Sequence, residues 1–143
     1  MVRVLVKASS IFIDNEQVID QISEEADRNC VVYIHGAGKQ FNEASEEEIR
    51  FENGSRVASQ EQLEKFYHGP QQKIRDYLSS VFGNKVLIIS PITEKDRTFE
   101  NQNSDDIFKE LYSLGFFEKG VVYAKKGHDK SNLKFTGVEI RYI

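Results

Sequence analysis

The segment VVYIHGAG, residues 31–38, joins a run rich in β-branched residues to a turn with glycine at positions 36 and 38. A strand that ends in Gly36-Ala37-Gly38 exposes bare backbone at its carboxyl end. If a helix starts in the KQFNEA that follows, its first N–H groups face an anion, and a phosphate or a carboxylate is the ligand that fits. The same two glycines also serve close packing of a helix on a strand, and spacing does not separate these readings. His35 stands at the same strand end and is expected to hold the turn by hydrogen bonding rather than to act as a base.

Other reactive residue types form no constellation. His35, His68 and His128 share no metal-ligand spacing with one another or with Cys30, so no metal site is expected. Cys30 opens an apolar run and reads as a small buried apolar residue rather than a nucleophile. Ser9 and Ser10 lack a recognisable base partner. Glu43 and Glu46 to Glu48 read as solvated acidic surface or a helix end.

The elements that must position the turn are legible as hydrophobic patterns. Residues 2–6 (VRVLV), 31–34 (VVYI) and 86–89 (VLII) read as strands buried on both faces of a parallel sheet. Val18, Ile19, Ile22 and Ala26 recur at helical spacing behind Asp14, an acceptable cap, which makes a βαβ unit. Leu63, Phe66 and Tyr67, then Ile74, Tyr77, Leu78 and Val81, continue one apolar face, interrupted at Gly69-Pro70. IRFENGSRVA predicts a hairpin turning at Asn53-Gly54. After Pro91, TEKDRTFENQNSDD reads as a loop with one edge strand, followed by a helix over 105–114 that Gly115 closes. GVVYAKK and KFTGVEIRYI are expected to be antiparallel strands attached to the parallel core. The pattern predicts an α/β three-layer sandwich, with a mainly parallel sheet flanked by helices, plus β-hairpins, in one domain.

Composition narrows the partners. Nineteen Lys and Arg against 23 Asp and Glu leave a formal charge of −4 over 143 residues, so nucleic acid is not an expected partner. One cysteine permits no internal disulfide, and the first residues alternate as a strand does rather than forming a signal peptide or a membrane span. The expected setting is the cytoplasm, with no membrane partner.

In chain order, VRVLVK ending in Lys7, VVYIHGAGKQFNEA and FENGSRVASQEQLEKF resemble the amino acid kinase family, in particular its N-acetylglutamate kinases. The family pattern of a Lys before Gly-Gly, then His-Gly-Gly-Gly, then Asn-Gly-Leu-Arg-Val-Thr, stands here as KASS, HGAG and NGSRVA. KVLIISPI and LGFFEKGVVYA continue the resemblance more faintly, and together the matches cover nearly the whole chain. The resemblance implies that Lys7 stabilises charge on a transferred phosphoryl group. It implies that Gly36 and Gly38, with Ala37 between them, offer backbone donors to that phosphate and to the acceptor's carboxylate. It implies that Arg56 clamps the acceptor's α-carboxylate with its guanidinium fork.

Departures shape the expectation as much as matches. Ser9-Ser10 replaces the family's Gly-Gly, and Ala37 replaces a turn glycine. The family's carboxyl-terminal lobe, with its adenine pocket, second lysine and organising aspartate, has no expected counterpart in residues 1–143. The resemblance thus implies a single acceptor-binding, amino-terminal lobe for a small carboxylate or acyl-amino acid, in a setting such as arginine biosynthesis. This chain alone is expected to hold no cofactor and to transfer no phosphate, ATP and magnesium arriving with a second lobe. A homodimer, through the segment from Leu63 to Val81, or a partner lobe is expected. Two alternatives stand beside this: a fragment or subunit of an active kinase, and a non-catalytic dimerisation or regulatory module.

Overall fold

β1 (Arg3–Ala8) is a run without polar alternation because both of its faces are covered: every residue from Val4 to Ala8 is buried. The computed structural model describes residues 1–44, 50–52 and 55–143, excepting the side chains of Arg50, Ser55 and Arg56. After β1 comes α1 (Glu16–Arg28), whose cap is Asn15 rather than the expected Asp14; the Asn15 side-chain Oδ1 accepts the Val18 N–H at 3.1 Å. β2 (Cys30–His35) then lies parallel to β1, with Val4 opposite Val31 and Ala8 opposite His35. Cys30 is exposed, not buried as expected. It sits at the uncovered start of β2, with its Sγ 3.2 Å from Met1 Sδ.

A short helix, α2 (Gly38–Ala44), starts directly after the glycine turn. β3 (Arg50–Glu52) and β4 (Ser55–Val57) pair antiparallel as expected, while their Asn53-Gly54 turn lies outside the described residues. α3 (Gln60–His68) opens with a reciprocal capping box between Ser59 and Gln62. Gly69 separates it from α4 (Pro70–Phe82), where proline sits at a helix start and its missing N–H costs nothing. β5 (Val86–Ile89) pairs parallel with β2.

The next segment departs from the expected loop. β6 (Ile92–Lys95) and β7 (Thr98–Asn101) form a second antiparallel hairpin, turned by Asp96 and Arg97, both at left-handed φ of 51° and 64°. α5 (Ser104–Ser113), β8 (Lys119–Ala124) and β9 (Val138–Tyr142) complete the fold. The main sheet has the order β5-β2-β1-β8-β9, and every pairing in it is parallel. The expected antiparallel pairing of the last two strands is therefore corrected. Residues 125–137 are long enough for a crossover connection, and they carry a 3-10 turn, Ser131–Leu133, that buries Leu133 against the sheet.

Two apolar layers flank the sheet, so the α/β class is a three-layer one. Val4, Val6, Val31, Tyr33, Val121 and Tyr123 face α1, α3 and α4 through Val18, Ile22, Phe66, Leu78 and Phe82. On the opposite face, Leu5, Ile34 and Val122 pack against Ile107 and Phe108 of α5 and against Leu133. From β1 the chain winds outward to β2 and β5, then crosses back to lay β8 on the other side. A reversal of this kind opens a crevice at the carboxyl ends of the central strands, where ligands bind in sheets of this type.

Candidate functional site

The alternation of β1 puts Lys7 on the same face as Leu5, beneath the start of α5. There its side chain is 3% exposed and its ammonium forms an ion pair with Asp105. Asn103 caps α5 by accepting the Asp105 N–H at 2.8 Å, which fixes the carboxylate in the first turn, where the helix dipole favours negative charge. Lys130, arriving in the β8–β9 crossover, donates to the other Asp105 oxygen at 3.0 Å. Burial pushes the Lys7 ammonium below its ordinary value, and the attraction of Asp105 only partly offsets this. Burial pushes the Asp105 carboxyl up, but two ammonium groups outweigh it and the net shift is downward. The two directions follow from what each group faces: Asp105 meets two cations, whereas Lys7 meets one carboxylate, a second ammonium and dry surroundings.

Lys7 and the turn Gly36-Ala37-Gly38 line one cleft of about 210 Å³, at the winding reversal. The segment from Asn101 to Asp105, Pro91, Ile92 and Lys130 line it as well. Two lysines against one carboxylate leave the cleft a net positive charge among these groups.

The glycine turn itself is used more by the protein than expected. The Gly36 N–H donates to the Ala8 carbonyl at 3.1 Å, extending the β1–β2 ladder. A Cβ at Gly36 would lie 2.9 Å from the Ser10 backbone nitrogen, so close packing dictates the glycine. The Gly36 N–H is therefore already bonded within the fold. Ser10 also occupies the start of α2: its hydroxyl accepts the Lys39 N–H at 3.1 Å, and its carbonyl accepts from the Gln40 side chain at 3.2 Å. Ser9-Ser10 thus ties β1 to α2.

His35 holds the turn, as expected. Its ring is fully buried, with Nδ1 2.9 Å from the Gly36 carbonyl and Nε2 2.7 Å from Ser90 Oγ. Nδ1 donates to the carbonyl and Nε2 accepts the Ser90 hydroxyl, whose oxygen in turn accepts from Arg75 at 2.8 Å. Burial is the main cause that pushes the His35 imidazole down to about 4, with the Arg75 charge adding to it, so the ring is neutral at pH 7.

Arg56 lies in β4 opposite Phe51, and its side chain is outside the described residues. Asp105 and Lys130 are the residues that sequence reasoning missed, since an aspartate and a second lysine were expected only from another lobe. Asp105 was legible as the start of a helix; its contact with Lys7 depends on α5 crossing over β1, which no local pattern states. Among the described residues, no group of three His, Cys, Asp or Glu is placed to hold a metal ion, and no helix is long and apolar enough to cross a membrane.

The sequence matches no family model and none of the curated proteins with which it was compared. Solved structures share its fold. N-acetylglutamate synthase from Neisseria gonorrhoeae, in complex with coenzyme A and L-arginine, superposes on 92% of this chain with a TM-score of 0.65 and 11% identity. This chain spans 45% of that synthase's length. The protein smu.665 from Streptococcus mutans UA159 superposes on 86% of this chain, over 73% of its own length, with a TM-score of 0.59 and 11% identity. At such identity the likeness establishes the mostly parallel, helix-flanked fold and nothing finer.

Proposed function

We propose that this chain is an acceptor-binding domain of the amino acid kinase type, taking a small anionic metabolite, a carboxylate of acyl-amino-acid size, into the cleft over Lys7. The observation that carries this reading is the convergence of Lys7, Asp105 and Lys130 beside the Gly36-Ala37-Gly38 turn, at the reversal point of a fold shared with N-acetylglutamate synthase. The volume of about 210 Å³ lies below the roughly 300–1,000 Å³ of sites for drug-sized ligands, which suits a small metabolite. One net positive charge suits one carboxylate, and the resemblance to the amino acid kinases is what would assign Arg56 to it as a second clamp.

On this reading ATP and magnesium belong to a second lobe, and the chain transfers no phosphoryl group alone, because phosphoryl transfer depends on positioning and charge stabilisation at both ends of the reaction. The partner is a second copy or that lobe, in the cytoplasm. The test is a titration of N-acetylglutamate, glutamate and phosphate into isotopically labelled protein. Amides of residues 36–39 and 101–105 move with millimolar affinity, on the order of −4 kcal/mol. Amides that stay still at tens of millimolar of every ligand refute the reading.

A further inference from the structure

Two glutamine side chains stand in for missing strands beside the β6–β7 hairpin. An isolated two-stranded hairpin is marginal in water, and each of its outer edges presents unpaired backbone groups. Gln71, in the first turn of α4 and almost fully buried, donates its Nε2 to the Ile92 carbonyl at 2.8 Å and accepts the Ile92 N–H at 3.1 Å. Gln60, the first residue of α3, does the same for Phe99: Nε2 to the carbonyl at 2.8 Å and N–H to Oε1 at 2.8 Å. The register agrees with this. Ile92 pairs with Asn101 and Phe99 with Glu94, so Ile92 and Phe99 point their backbone groups outward while Thr93 and Glu100 bond across the ladder. Each amide therefore completes a two-bond, strand-like pair, one on each edge.

The apolar side chains seat the hairpin without fixing its register along α3 and α4. Phe99 packs against Tyr67 with tilted rings 5.4 Å apart, and Ile92 is buried in the main core. Contacts of that kind are non-directional, whereas a two-bond amide pair selects one backbone residue. What depends on that register is the cleft wall. The Gln102 N–H closes the hairpin base on the Pro91 carbonyl at 2.9 Å, and the chain runs from Asn101 through the Asn103 cap to Asp105. A hairpin that slips carries Asp105 away from Lys7 and Lys130.

We propose that Gln60 and Gln71 are positioning residues for the anion cleft: by clamping Phe99 and Ile92, they set where Asn101 to Asp105 stand relative to Lys7. The assignment rests on reading the cleft as an anion site, and it has readouts that do not need a ligand. Gln60 is exposed, so Gln60→Ala leaves the core intact; Gln71→Met keeps the buried volume, adds no charge and loses both bonds to Ile92; Gln72→Ala, next to Gln71 and bonded along its own helix to Asp76, is the control.

The experiment compares amide exchange at Thr93 and Glu100, the titration midpoint of the Asp105 carboxyl carbon, and N-acetylglutamate affinity in parent and variants. Gln60→Ala and Gln71→Met each speed exchange at Thr93 and Glu100 roughly tenfold or more, as the loss of two hydrogen bonds from a local opening requires. Both move the Asp105 midpoint upward and weaken binding, and Gln72→Ala changes none of the three. A merely structural role would speed exchange and leave the Asp105 midpoint where it is in the parent, and that result overturns the assignment. If the parent binds no anion, the reading of the cleft fails, while exchange and the Asp105 midpoint still decide the role of the glutamines.

Discussion

Lys7 of β1 and Asp105 of α5 form an ion pair in which the lysine is almost wholly buried and the carboxylate is shared with Lys130. The arrangement is asymmetric. Removing Lys7 leaves Asp105 with a counter-ion, whereas removing the Asp105 charge leaves the buried Lys7 ammonium facing Lys130 with no carboxylate between them.

Stability should register that asymmetry. Asp105→Asn destabilises by about 3–5 kcal/mol, the usual cost of an uncompensated buried charge, and Lys7→Met by clearly less. The double variant recovers much of the Asp105→Asn loss. Urea unfolding of the four proteins at pH 7 checks this; equal losses for the two single variants would count against a buried Lys7 ammonium.

His35 sets a pH dependence. Its folded value of about 4 lies below the ordinary 6.5, so the unfolded chain takes up a proton first as pH falls. Its contribution is whole above about pH 6.5 and is lost as pH falls toward about 4. Between pH 7 and pH 5 the parent loses about 2 kcal/mol from this group, at about 1.4 kcal/mol per pH unit of separation. His35→Gln is less stable at pH 7 but flatter across this range. Denaturant melts at the two pH values compare the slopes, and parallel slopes would remove His35 as the cause.

Gly36→Ala tests the packing role of the turn. The added Cβ meets the Ser10 backbone at 2.9 Å, which the neighbour avoids only by moving the Ser9-Ser10 connection. A loss of about 1–3 kcal/mol is expected, together with exposure of the Lys39 amide as its Ser10 cap withdraws. An unchanged melt and a protected Lys39 amide would contradict the tight contact.

Self-association is expected through α4, where Tyr77 and Val81 remain partly exposed on a helix whose other apolar residues face the core. Sedimentation equilibrium should give a mass near twice 16.5 kDa at high concentration, with Tyr77→Glu shifting it toward one chain. A monomer at every concentration rules the α4 face out.

The sequence made the strands of the parallel core, the helix break at Gly69-Pro70 and the Gly36-Ala37-Gly38 turn legible because each is a local pattern of burial or backbone freedom. One edge strand was expected after Pro91, but its pairing with a second into a hairpin escaped because Asp96 and Arg97 make the left-handed turn that Asn-Gly or Gly usually marks. The parallel course of β8 and β9 escaped because the polar loop between them looks like a hairpin connection, although the burial of Leu133 makes it a crossover. The Lys7–Asp105–Lys130 cluster is an outcome of strand order: β8 must lie beside β1, with α5 crossing over the face of β1, before three distant residues meet. Gln60 and Gln71 looked like ordinary helix-start residues, since a side chain that mimics a strand leaves no mark in composition or period.

The most direct test of the anion cleft is the affinity of N-acetylglutamate for the parent, Lys7→Met and Lys130→Met, measured side by side by calorimetry at low ionic strength. The account predicts millimolar binding to the parent, a loss of tenfold or more in Lys7→Met, about 1.4 kcal/mol or greater, and a smaller loss in Lys130→Met, whose ammonium is more exposed. Equal affinity in all three proteins, or no binding to the parent at tens of millimolar, would contradict it.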